Sequence, residues 1–341
     1  MTNAFRPAPA ITAAILSAAA LYFGSGIFAP VAVALFAIAI LWPLQHTLER
    51  YLPRLLALLL TLAATVVVIG TLGALVAWGI GVVGRWLMAN LGLFYDLYGK
   101  TLAWFEGHGI LLAEPLAERF NVLSLVRLFQ DVLARLNGLL GFAVMVLIFT
   151  MLGLLEVGDF RHKVRALRHG TDGERLLEVI TGIGRKFRKY ILVRSFASLL
   201  TGLAVWAFAH GLGVEPASAW GVIAFALNYI PVIGPLFATL LPTLFAAAQF
   251  DSWQMAVVVF LGLNVIQFVI GSYLEPRLSG SALSISPFVV VFAVFFWAIL
   301  WGIPGAFIGV PVTIALLALS ELNPQTRWIA TLLAGPPPHE H

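Results

Sequence analysis

The sequence predicts an all-α, polytopic integral membrane protein, and three observations carry that prediction. Apolar residues make up 61% of the 341-residue chain and charged ones 11%, against roughly 45–50% and about 25% in ordinary soluble domains. Uncharged runs longer than 18 residues recur, and only a bilayer can solvate so many of them. The basic residues are gathered rather than spread, as in the cytoplasmic loops of membrane proteins. A formal charge of +4 without a base-reading motif gives no reason to expect nucleic acid as a partner; membrane lipid is the expected one. The chain has no cysteine, which excludes disulfides and thiolate chemistry. Its histidines are scattered and no P-loop, GxSxG or HExxH occurs, so neither an enzyme, a cofactor nor a metal is expected.

Residues 1–83 are expected to form the N-terminal membrane helices. Two short apolar segments, 8–23 and 27–44, are split by Gly24-Ser25-Gly26, a triplet suited to a tight helical hairpin. Arg6 and the apolar run after it also imitate a secretory signal, but a second hydrophobic segment follows at once and reads as the return helix. The loop 45–54 carries Arg50 and Arg54 and is expected in the cytoplasm, with the N-terminus. The run 55–83 then leaves as a span too long to stand upright.

Residues 84–137 break the membrane pattern with five bases and five acids that cancel. Val122, Leu125, Val126, Phe129, Val132, Leu133 and Leu136 follow helical spacing, so an outward-facing amphipathic excursion is expected; a solvated linker with some helix is the alternative. A membrane helix at 138–156 returns inward. Residues 157–192 carry nine bases against four acids, a net of five positive charges. That excess makes the segment cytoplasmic, and Arg185-Lys186-Phe187-Arg188-Lys189 can meet anionic lipid. The tail 321–341 is expected on the same side.

The region 193–320 is the heart of the layout. After an outward span at 193–210, the uncharged stretch 217–250 is about 34 residues long; as one helix it would reach about 50 Å, against a hydrocarbon core of about 30 Å. The break is written at Asn228-Tyr229-Ile230-Pro231-Val232-Ile233-Gly234-Pro235, where proline removes donors and glycine loosens the helix. An ordinary span, 253–274, then leads inward to Glu275 and Arg277. The device recurs at 287–320, broken at Trp301-Gly302-Ile303-Pro304-Gly305. A hairpin entered from outside followed by one entered from inside is an inverted repeat, giving about eight membrane segments including two broken-helix hairpins. Hinges are expected at Pro231, Gly234, Pro235, Pro276, Gly302, Pro304, Gly305 and Pro311. Plain kinking and close packing are the alternative.

Charge is scarce in this region: among Asp, Glu, Lys and Arg, only Glu215, Asp251, Glu275 and Arg277 lie between Arg194 and Glu321. On an α-helix Asn264, Gln267, Gly271 and Glu275 share one face, which must meet a partner helix or a water-filled path rather than lipid. Hydrogen bonds that only hold the bundle are one alternative for that stripe, and a surface pair with Arg277 is one for Glu275. The functional reading makes Glu275 a proton or cation carrier, with Asn228 and Tyr229 as solute contacts and His210 a boundary residue. The layout points to a secondary transporter of a small polar solute, ion-coupled and working by alternating access. A non-transporting membrane scaffold that binds partners through 84–137 is the reading from another class.

The runs LEPRLSGSALSISPFVVVFAVFFWAILWGIPGAFIGVPVTIALLA and ALNYIPVIGPLFATLLP, with KYILVR at 189–194, resemble the autoinducer-2 exporter-like family of bacterial membrane transporters. The matching positions are Tyr229, Pro231, Gly234 and Pro235, then Glu275, Pro276, Gly280 and Pro287, then Gly302, Gly305 and Pro311. The resemblance implies a multi-pass inner-membrane protein with both termini cytoplasmic, assembled as a homo-oligomer such as a pentamer. It also implies export of an autoinducer-2-like signal or, as in some relatives, sodium/proton antiport. Where the family often has a basic or amide residue after the glycine and a His before the proline, this chain has Ser281 and Ser286, so the resemblance does not extend to a His-dependent proton step.

Overall fold

The structure, a computed structural model, describes residues 7–108, 122–166, 171–279, 285–322 and 326–333. Parts of the expected excursion (109–121) and of the tail lie outside them, as do Arg6, Gly280 and Ser281. The elements are α1 (Pro7–Phe23), α2 (Ser25–Leu48), α3 (Arg54–Ala89), α4 (Leu91–Gly107), α5 (Val122–Ala166), α6 (Thr171–Leu212), α7 (Ala217–Leu227), α8 (Ile233–Phe250) and α9 (Trp253–Gln267). A π-helical stretch, Phe268–Leu274, joins α9 to the short α10 (Glu275–Ser279), and α11 (Pro287–Ser320) and α12 (Arg327–Leu333) close the chain. Every element among the described residues is thus helical, and seven helical stretches are long and apolar enough to cross a membrane, with α7 a shorter apolar helix. The chain is a polytopic α-helical membrane protein.

Helices α3, α5 and α6 run unbroken past the segment limits that charge suggests near 83, 137, 156 and 192. Charge marks where a helix leaves the bilayer, whereas backbone hydrogen bonding decides where it ends. The chain forms two compact units.

The first unit comprises Met1–Ala64, Gly141–Ile191 and Ser281–His341. The tight hairpin expected at Gly24 is a bend instead. Gly24 sits in the bridge region beside the helical basin (φ −88°, ψ 15°), yet helical hydrogen bonds run through it: its N–H donates to Ala20 and its carbonyl accepts from Phe28. In α11 the chain does reverse. Gly302 adopts φ 65°, ψ −140°, a conformation open to glycine and costly for any side chain. The halves then press together: Trp297 Nε1 donates to Thr313 Oγ1 at 3.1 Å, and a Cβ on Gly305 would collide with the Trp297 carbonyl.

Pro43, inside α2, has no N–H, so the Ala39 carbonyl one turn earlier lacks its helical donor. Arg188 of α6 supplies one, Nη1 to O at 2.8 Å, beside an edge-to-face contact between Phe36 and Phe187.

The second unit comprises Thr65–Leu140 and Leu192–Gly280. Its core is aliphatic around an aromatic cluster, in which Phe245 of α8 packs against Trp86, Phe94 and Trp220 with centroids 4.8 to 5.3 Å apart. Helices α7 and α8 form a hairpin so close that a Cβ on Gly234 would strike the Leu227 carbonyl. Its tip is a γ-turn, with Ile233 N–H donating to Pro231 O at 2.7 Å and Val232 at φ 66°, ψ −55°. This conformation is strained for a β-branched residue. At the hairpin's other end the Glu215 N–H donates to Gln249 Oε1 at 2.9 Å, and Lys100 of α4 pairs with Asp251.

The Pro43–Ala39–Arg188 arrangement makes Arg188 a replacement donor. Arg188→Ala is expected to destabilise the detergent-solubilised protein by about 1 kcal/mol, and to cost much less when Pro43→Ala restores the helical N–H. An equal loss in both backgrounds, measured by thermal unfolding, would separate Arg188 from the proline.

Candidate functional site

Three of the polar side chains that the second unit withdraws from solvent lie along one face of α6. Arg194, Ser198 and Thr201 follow one another at helical spacing and are buried, with Val205 and Ala209 continuing the same stripe as apolar residues. The Arg194 and Ser198 levels each meet a partner from another element. Asn228, at the C-terminal end of α7, donates from Nδ2 to Ser198 Oγ at 3.2 Å. Its neighbour Tyr229 donates to Ser195 Oγ at 2.8 Å.

At the near end Arg194 Nη1 donates to both carboxylate oxygens of Glu275, at 2.5 and 2.7 Å. The side chains are 8% and 17% exposed. The local alternative does not form: Arg277 lies over the Tyr273 ring, 3.9 Å from its centroid, a cation–π contact on an outer face.

The backbone explains how Glu275 reaches α6. The withdrawn face of α9 and its extension runs Val259, Leu263, Gln267, Ile270 and then Glu275, in steps of four, four, three and finally five. The last step is the π-helical stretch, whose wider turn carries one extra residue. Pro276 follows at once and has no N–H for the Ser272 carbonyl, so regular α bonding could not have continued through it. The shift also corrects the expected polar stripe: Asn264 is not on the face of Gln267 and Glu275. It is exposed, and its amide donates back to the Phe260 carbonyl at 2.7 Å.

Of the residues singled out from sequence, Glu275, Gln267, Asn228 and Tyr229 therefore lie in one unit on elements packed about α6, and Asn264 points elsewhere. Pro231, Gly234 and Pro235 sit at the hairpin tip beside Asn228. Pro276 belongs to the π-helical exit, while Gly302, Pro304, Gly305 and Pro311 belong to the first unit. Sequence reasoning missed Arg194, Ser195, Ser198 and Thr201. The i, i+4, i+7 spacing of 194, 198 and 201 in an otherwise apolar run could have found them. Among the described residues no three His, Asp or Glu side chains converge in a way that could hold a metal ion.

The sequence profile of the AI-2E family transporters matches residues 11–324. The chain is 29% identical over 332 residues to the AI-2 transport protein TqsA of Escherichia coli strain K12, covering 92% of this chain and 90% of that protein. It is 28% identical over 232 residues to a candidate transport protein of Haemophilus influenzae, covering 65% and 64% of the two chains. Over 206 residues it is 30% identical to YhhT, a candidate transport protein of Escherichia coli strain K12, covering 60% and 58%.

Removing one partner of a buried ion pair strands a charge at a cost of about 3–5 kcal/mol, whereas replacing both with apolar residues is often close to neutral. Arg194→Met and Glu275→Leu are each expected to lower the thermal unfolding midpoint in detergent, and the double variant to recover most of the loss. Additive losses would show that the two side chains act independently.

Proposed function

The chain belongs to the AI-2E family of transporters, and on that premise we propose that it is a secondary transporter. It carries a small polar solute by alternating access and couples to an ion through Glu275. The observation that carries this reading is the Arg194–Glu275 pair. A proton or metal cation arriving at Glu275 competes with the guanidinium, so loading the acid and releasing Arg194 are one event with two stable arrangements. Released Arg194 sits one helical turn from Ser198, which is bonded to the hairpin residue Asn228. Loading is thereby connected to the α7–α8 hairpin.

The two broken hairpins serve as the moving halves of an inverted repeat, with the γ-turn at Val232 and the reversal at Gly302 as their hinges. The basic segment 157–192 sets both termini in the cytoplasm of a bacterial inner membrane, and the assembly is a homo-oligomer such as a pentamer. Similarity over nine tenths of the chain to a protein named for AI-2 transport makes autoinducer-2 the first solute to test. Sodium/proton antiport is the second reading, favoured by the same withdrawn carboxylate.

Glu275→Gln keeps a hydrogen-bond acceptor for Arg194 but removes the carboxylate charge. The variant is expected to insert and assemble normally yet to lose pH-dependent autoinducer-2 flux in proteoliposomes by at least about tenfold. Unchanged flux would remove Glu275 from coupling. Sodium-driven proton movement in the parent protein without solute would select the antiporter.

A further inference from the structure

The polar stripe extends beyond the ion pair, and its far end is unexplained by bundle packing. Helix α6 meets α9 at Phe208 and Gly262, where a Cβ would strike the ring, and meets the π-helical extension of α9 at its far end, where Arg194 bonds Glu275 of α10. These contacts fix an antiparallel register. At 1.5 Å per residue, Thr201 lies about 10 Å and Gln267 about 8 Å from the Phe208–Gly262 contact, so the two stand at nearly the same height. Thr201 is 0% and Gln267 9% exposed. Neither Thr201 Oγ1 nor Gln267 Nε2 finds a hydrogen-bond partner among the described residues, and the same holds for Arg194 Nε.

Polar groups that merely hold helices together bond to one another. Here three buried side chains, on two elements and at two heights, keep an unpartnered polar atom each, and such atoms in a native interior call for a ligand or water. We propose that Thr201, Gln267, Ser198 and Asn228 form an occluded binding compartment for an uncharged, hydroxyl-bearing solute, with Arg194 Nε at one end. Its chemistry sets the ligand class. Hydroxyls and amides both donate and accept, while Arg194 and Glu275, the charged pair among the described residues at the end of the stripe, already neutralise each other. A charged ligand would bring a charge without a counter-charge into a low-dielectric site; a ligand hydroxyl can accept from Gln267 Nε2 and Arg194 Nε and exchange a hydrogen bond with Thr201 Oγ1.

The compartment rests on the transporter reading, but its test needs no transport. The chain has no cysteine, so Thr201→Cys and Ser198→Cys are each unique thiols in full-length protein. Val205→Cys, one turn further along the same buried stripe and 0% exposed, is the dry control. With methyl methanethiosulfonate, a small neutral thiol reagent, both test variants are expected to label at least about tenfold faster than Val205→Cys, and erythritol in excess to slow that labelling. Rates equal to the Val205→Cys control in both variants would overturn the compartment. Fast labelling that erythritol leaves unchanged, or that sodium slows instead, would overturn the ligand class. Either result can stand while Glu275-dependent flux persists, so the two ideas fail separately.

Discussion

A guanidinium and a carboxylate held together inside a core whose described residues otherwise exclude charge is the constraint on which the second unit depends. Each ion alone would cost several kcal/mol to withdraw from water, and together they are tolerated only because Arg194 Nη1 spans both oxygens of Glu275. That requirement reaches into the backbone. It fixes the antiparallel register of α6 against α9, and it uses the extra residue of the π-helical stretch to swing Glu275 onto the withdrawn face. Proline at 276 belongs to the same solution, since it ends regular bonding where the chain must turn. A pair that needs this much local distortion is an expensive way to obtain stability alone, and an effective way to obtain two states.

The breaks in the long apolar stretches obey a related logic. A helix of 34 residues such as α11 outruns the bilayer, and its excess must fold back at a point where the backbone tolerates reversal. Gly302 does this without strain because it has no side chain. Val232 does it under strain, in a γ-turn, next to Asn228 and Tyr229. Strain of that kind persists where surrounding contacts enforce it, commonly at sites that change conformation. The tight approach of Gly234 to the Leu227 carbonyl and of Gly305 to the Trp297 carbonyl are the contacts that enforce these two reversals.

Much of this was legible in the sequence, and the illegible part has physical causes. Composition settled the class. Comparing the rise of a helix with bilayer thickness located the breaks within the segments that hold Val232 and Gly302, because length and proline content are local properties. Scarcity of charge picked out Glu275. Its partner was hidden, since Arg194 stands at the edge of the basic stretch and looks from the sequence like one more cytoplasmic cation. Asn264 was misplaced because a uniform 3.6-residue period was carried through a stretch that is π-helical. The bend at Gly24 was read as a hairpin because a glycine-rich triplet permits reversal without requiring it.

The central claim is that Arg194 and Glu275 hold the fold through mutual neutralisation, and that the position of the acid does the coupling. The double exchange Arg194→Glu with Glu275→Arg separates these roles in one protein. It restores a neutral pair, so the exchanged protein should be as monodisperse and thermally stable in detergent as the parent, yet carry no pH-dependent flux in proteoliposomes. Parental flux and pH dependence in the exchanged protein would contradict the claim and leave the pair a purely structural contact.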